Sequence, residues 1–108
     1  MRPKTQWLWQ AFSGLLLVFL LALHLTVNHF AAGGLLTYED IVAYLAQPWV
    51  RVLETLFLLT VTYHALAGVR GILPDLNLTT AAARRLTLGL TVLGVLICAY
   101  GLWLFTTL

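Results

Sequence analysis

Charged side chains are nearly missing from this sequence. Of its 108 residues only 9% are Asp, Glu, Lys or Arg, six of them basic and four acidic. A soluble domain carries about 25% charged residues and about 45–50% apolar ones, whereas 61% of this chain is apolar. Ten charges cannot coat a globule of this size. That excludes a soluble domain, a nucleic-acid binder and a disordered chain, and leaves a small integral membrane protein. Cysteine occurs once, at Cys98, so no intrachain disulfide and no Cys-rich metal site can form. There is no glycine-rich phosphate loop, no nucleophile paired with a base, and no room for a soluble catalytic domain. No carboxylate falls at mid-depth in an apolar run, where a proton-driven transporter would keep one. A small exporter is therefore disfavoured, and any chemistry has to come from a bound cofactor or a partner subunit.

What is present is apolar run. Charge is absent over 5–38, 55–69 and 86–108. A spanning helix needs about 20 mostly apolar residues, and the sequence predicts three, at about 7–30, 49–72 and 86–107. The middle one reaches that length by taking Arg51 and Glu54 into its outer turn, where the two are expected to pair at the interface while Arg51 snorkels. The runs show no period-2 alternation, and a three-segment sheet would leave open edges in lipid. The fold class is all-α: three transmembrane helices in one domain. Arg2 and Lys4 give the first span a positive start, but its apolar stretch is too long for a signal peptide, so a retained helix is expected.

The placement of the basic residues sets a direction. Arg2, Lys4, Arg70, Arg84 and Arg85 fall on one side and Arg51 alone on the other. That puts the N-terminus and the second loop in the cytoplasm, with the chain in the cytoplasmic (inner) membrane. Trp7, Trp9, Trp49 and Trp103 sit near span ends, as interfacial anchors do. The first loop, with Gly33-Gly34 and Tyr38-Glu39-Asp40, is expected to carry a short surface helix over 38–45, stopped by Pro48.

Three histidines remain. An ionisable group inside a membrane helix is costly and reads as functional by default. His64 lies about 9 Å from the cytoplasmic end of its helix and His24 about 25 Å along its own, towards the outer side. With no acid expected nearby, neither pairs electrostatically. Neutral imidazole suits a transition metal, and in an apolar bundle the fitting one is haem iron. The two differ in depth by about 15 Å, while two ligands of one iron must each approach to roughly 2 Å. Either they serve two haems, each completed by another chain, or only one is a ligand. Gln10, Ser13 and Leu17 share the face of His24, a polar seam that should point into the bundle; Thr60, Gly68, Gly71 and Asp75 share that of His64, the glycines leaving a flat wall for a macrocycle. The competing reading makes each histidine a polar bond between helices. His29 reads as a hydrated anchor or a contact to a quinone head. Thr87, Thr91, Gly94, Cys98 and Gly101 form a stripe of small residues for packing, with Cys98 an inert thiol.

These residues carry a resemblance. His64-Ala65-Leu66-Ala67-Gly68, with Asp75 eleven residues after the histidine, is similar to the second helix of the small hydrophobic membrane-anchor subunit of succinate dehydrogenase (succinate:quinone oxidoreductase, respiratory complex II). Leu36-Thr37-Tyr38-Glu39 resembles the loop before that helix. His24-Leu25-Thr26-Val27-Asn28 is similar to the first helix of the di-haem anchors. The resemblance covers nearly the whole chain and implies a cytochrome b type anchor, one half of a haem-binding helical bundle. It implies that His64 ligates a cytoplasmic-side haem b and His24 an outer-side one, each iron taking its other ligand from a sister anchor subunit. Ser13 would contact a haem propionate or the quinone, and Asp75 would lie near the quinone. The implied partners are that second anchor, an iron–sulfur subunit, a flavoprotein subunit, quinone and membrane lipid, with no nucleic acid. On this resemblance the chain is not catalytic by itself: electrons pass from the iron–sulfur subunit to quinone, and succinate is oxidised at a flavin elsewhere. The equivalent anchor of a quinol:fumarate reductase and a haem-free structural anchor are the alternatives. One departure is that Leu76 stands where single-haem enzymes often have a quinone-binding tyrosine. The quinone site is then rebuilt from partner residues or sits elsewhere, such as the outer side. The two-haem pattern resembles that of enzymes using low-potential quinones such as menaquinone.

Overall fold

The computed structural model describes residues 3–31, 33 and 37–108. Arg2, Gly34 and Leu36, which entered the readings of direction, first loop and resemblance, lie outside the described residues. Helix α1 (Pro3–Leu25) runs into a π-helical turn (Thr26–Ala31). A short α2 (Tyr38–Leu45), the long α3 (Pro48–Ile72), a 3-10 turn (Leu73–Leu76) and α4 (Thr80–Thr107) follow. No strand occurs among the described residues. Among the described residues three stretches are long and apolar enough to cross a membrane, Lys4–Phe30, Pro48–Leu76 and Thr80–Thr107. The long axis of 49 Å suits a bilayer of about 40–45 Å including its headgroups.

Local chemistry sets the boundaries. Helix α2 opens on a capping box: Thr37 Oγ1 accepts from the Asp40 backbone N–H, and the Asp40 carboxylate accepts from that of Thr37, both at 3.1 Å. Pro48 opens α3, where its missing N–H costs nothing. The α-helix gives way at Ile72 to a 3-10 turn containing Pro74, and Asn77 then reverses the chain at φ +53°. Helix α4 starts at Thr80 rather than at 86, because the Thr79 hydroxyl accepts from Ala82 N–H. Arg84 and Arg85 therefore stand on the first turns of a helix instead of in a loop.

Helix α3 is central, with α1 and α4 both packed on it. The α4 stripe of small residues packs on α3 at its glycines. A Cβ at Gly94 would overlap Leu66 Cδ1, and one at Gly101 would come within 2.5 Å of Leu58 Cδ2. Two glycines two turns apart thus receive two leucines of the antiparallel helix, which brings the backbones close. At one end, Tyr44, Leu45 and Val50 form a core with Val27, Ile41, Phe105 and Leu108; we call this the loop end. Lys4, Arg70, Arg84 and Arg85 mark the opposite, basic end. Large apolar side chains such as Leu15, Val18, Phe19, Leu88, Val95 and Leu96 are exposed along the spans, as lipid- or partner-facing residues are.

Candidate functional site: two histidine stations

The α1–α3 contact holds His64 and His24 at separate levels. At the first, Ser13 Oγ lies 3.0 Å from His64 Nδ1 and donates its own proton to Gln10 O at 3.0 Å. A hydroxyl has one proton, so Ser13 accepts from Nδ1–H, and Nε2 carries the lone pair. No hydrogen bond to Nε2 occurs among the described residues. The imidazole lies against Gly14, where a Cβ would stand 3.1 Å from Cε1. Gln10 Nε2 donates to His64 O at 3.3 Å, while Gln10 Oε1 is buried without a partner among the described residues. The polar seam of α1 therefore points into the bundle, as its spacing predicts; the helix it meets is α3, where Ser13 and Gln10 contact His64 rather than His24.

At the second station the structure corrects the sequence reading. Glu54 does not pair with Arg51 at the interface. It turns inward, 7% exposed, and its two oxygens lie 2.8 and 2.9 Å from His24 Nδ1. His24 thus has an acid partner that was not expected. The physical reason is antiparallel register. Glu54 is six residues into α3, His24 is six residues before the end of the first span at Phe30, and both are therefore about 9 Å from the loop end. Arg51 instead donates from Nε to Leu45 O, one of the unpaired carbonyls ending α2.

The carboxylate has a second donor. Tyr44 O–H, carried by α2, donates to Glu54 Oε1 at 2.5 Å. Burial first, then the hydrogen bond and charge of Glu54, push the Tyr44 hydroxyl pKa well upward, so it stays a donor. Asn28 is 8% exposed and donates to Tyr44 Oη at 3.0 Å and to His24 O at 2.6 Å. The latter carbonyl borders the π turn, where the regular ladder is widened. With both amide hydrogens used, the 3.2 Å approach of Asn28 Nδ2 to His24 Nδ1 is a close packing contact. Phe57 lies on the imidazole at 4.8 Å between ring centres. Nδ1–H is donated to Glu54, and again Nε2 has no hydrogen bond among the described residues.

The other sequence-predicted residues are placed as follows. Gly68 faces the Gln10 amide, its built Cβ 3.1 Å from Nε2, whereas nothing lies within 4 Å of a Cβ at Gly71. Asp75 is exposed in the 3-10 turn, beyond the α-helical register that would align it with His64. His29 is exposed on the π turn. A cleft of about 330 Å³ opens between α1 and α3 at the basic end, lined by Gln6, Trp7, Gln10, Tyr63, Arg70 and Gly71 among others; Asp75 is not in its wall. Glu54, Tyr44, Gly14 and Phe57 were not foreseen at the stations. Asn28, four residues after His24 and so on its face, was quoted only within a motif, not as part of a site.

Residues 2–105 match the model of the succinate dehydrogenase/fumarate reductase transmembrane subunit family. The chain belongs to that family. It is 36% identical to the succinate dehydrogenase hydrophobic membrane anchor subunit of Archaeoglobus fulgidus over 91% of this chain and 84% of that one. It is 31% identical to the subunit of the same description in Thermoplasma acidophilum, over 85% and 76%. With three candidate spans among its described residues, this family member is an integral membrane protein, and its similarity to succinate dehydrogenase anchors holds along most of its length.

Proposed function

We propose that this chain is the hydrophobic membrane anchor of a succinate dehydrogenase. In it His64 and His24 each supply one axial ligand to a b-type haem, and a sister anchor subunit supplies the other. One observation supports the ligand role above all. Both imidazoles are held at Nδ1 by this chain's own side chains, and both present Nε2 as a lone pair with no hydrogen bond among the described residues. That is how metal-ligating histidines are oriented. The donor set fits the group: neutral imidazole in an apolar bundle, one per level, with Gly14 leaving room for the Cε1 edge of the His64 ring. When bound, haem supplies one-electron transfer between an iron–sulfur subunit and quinone. Succinate is oxidised at a flavin in another subunit. The chain's residues fix the imidazoles in tautomer and depth, and Gln10 and Arg70 line a cleft suited to a quinone head or a propionate. By the basic-residue count the N-terminus faces the cytoplasm.

A haem-free structural anchor is the second reading, favoured by the fact that Ser13–His64 and His24–Glu54 both join α1 to α3. Reduced-minus-oxidised absorbance of the purified complex separates the two. We expect a b-type band that halves in His24→Ala and halves in His64→Ala. Absence of any band in the wild-type complex leaves the structural anchor.

A further inference from the structure

The two stations differ in what accepts the Nδ1 proton. His64 gives it to the neutral hydroxyl of Ser13, which is already committed to Gln10 O. His24 gives it to the Glu54 carboxylate, which faces Nδ1 with both oxygens and is almost wholly buried. Hydrogen bonds to an ionised acceptor are shorter and roughly twice as strong as neutral ones. A carboxylate that draws on Nδ1–H moves electron density to Nε2, and its charge stabilises the oxidised, more positive form of a metal held there. Tyr44 acts on the same oxygen in the opposite sense. Its O–H donates to Oε1 and takes up part of the carboxylate's capacity.

We propose that Glu54 is a positioning residue that lowers the reduction potential of the group held at His24 relative to one held at His64. Tyr44 sets how far it does so. This rests on the reading of His24 as an axial ligand. Neither Glu54 nor Tyr44 is oxidised or reduced; they bias a one-electron couple that another centre supplies and drains.

The test is a redox titration of the b bands in the purified, fully assembled complex. The component belonging to each station is identified as the one missing from His24→Ala or His64→Ala. Glu54→Gln keeps an acceptor for Nδ1–H and removes the charge. At a fixed ambient potential the oxidised-to-reduced ratio of the His24 component should fall about tenfold, or about 59 mV for one electron. Tyr44→Phe removes the competing donor, and the same ratio should rise, by about threefold on the same scale. The His64 component should stay in place in both. A residue that mattered only for packing would shift both variants in one direction. An unmoved His24 component in Glu54→Gln, shifts of the same sign in the two variants, or equal movement of both components overturns the proposal. If Glu54→Gln empties the His24 station, Tyr44→Phe decides alone: a raised ratio supports the proposal and an unchanged or lowered one overturns it. A wild-type complex with no b band overturns this proposal and the haem reading together, whereas haem with unshifted potentials overturns only this one.

Discussion

Gly14 offers the sharpest separation of site geometry from fold stability. A Cβ built there stands 3.1 Å from His64 Cε1, 3.7 Å from Nδ1 and 3.9 Å from Nε2. The first of these is tighter than ordinary contact, so in Gly14→Ala the ring has to retreat by about 0.3 Å or more. It is held by one hydrogen bond to Ser13, which a tilt lengthens. Metal–ligand distances tolerate only about 0.2 Å, so the retreat is enough to weaken ligation. For the helix the same change works the other way. Alanine is favoured over glycine in a helix interior by about 0.8–1.0 kcal/mol, which offsets an overpacking cost at the low end of about 1–3 kcal/mol. The expectation for Gly14→Ala in the assembled complex is a melting temperature close to wild type together with loss of up to half of the bound haem, all from the His64 station. Gly71→Ala is the control, because nothing lies within 4 Å of its Cβ; it should keep all its haem. Pyridine haemochrome ratios and thermal unfolding of the same preparations measure both quantities. Full haem with an unchanged spectrum in Gly14→Ala, or equal haem loss in Gly71→Ala, refutes the reasoning.

Two further outcomes follow from packing and titration. In the α3–α4 contact, Gly94→Ala should cost about 1 kcal/mol through collision with Leu66. Combining it with Leu66→Ala should recover about 1 kcal/mol of the summed loss, a coupling read from a double-mutant cycle in detergent; strict additivity would deny the contact. The folded chain holds the Tyr44 proton more tightly than the unfolded chain does, since its pKa is raised from 10.0. The resulting stability is fully present below pH 10 and is lost as pH rises beyond it. Unfolding measured from pH 9 to 11 should show that alkaline decline reduced in Tyr44→Phe.

Length and hydropathy carry most of the fold, because a spanning helix needs little beyond a long apolar run. The surface helix over Tyr38–Leu45 was legible from Tyr38-Glu39-Asp40 and Pro48 and is present. The start of α4 was not, because it depends on one cap, Thr79, standing outside the apolar run. The seam of Gln10 and Ser13 was legible as a polar face, but its partner was not. Helical spacing says which residues share a face, not which neighbouring helix the face meets. Glu54 shows the larger loss. Three residues from Arg51, it invites an interfacial pair, and local spacing alone favours that pairing. What overrides it is tertiary: α2 brings Tyr44 over the end of α3, excludes water from the carboxylate and leaves His24 as its nearest cation-capable partner. Equal counts from the loop end on two antiparallel helices were the available signal.

On the proposed haem reading, the same geometry requires the two stations to serve separate irons. His24 is level with Glu54, and Glu54 precedes His64 by ten residues on one continuous helix, a rise of about 15 Å. No iron can be reached by both. Among the described residues no group of three or more His, Cys, Asp or Glu gathers at either level, and His29 is exposed on the π turn. Each station thus offers one oriented nitrogen and lacks a second. A chain built only to hold its helices together would gain most by giving both imidazole nitrogens a partner, since an unpaired polar atom in a membrane interior is costly. Two nitrogens without a hydrogen bond among the described residues, at two depths and each beside a partnered one, are the arrangement that the proposed half-sites, completed by a second subunit, would require.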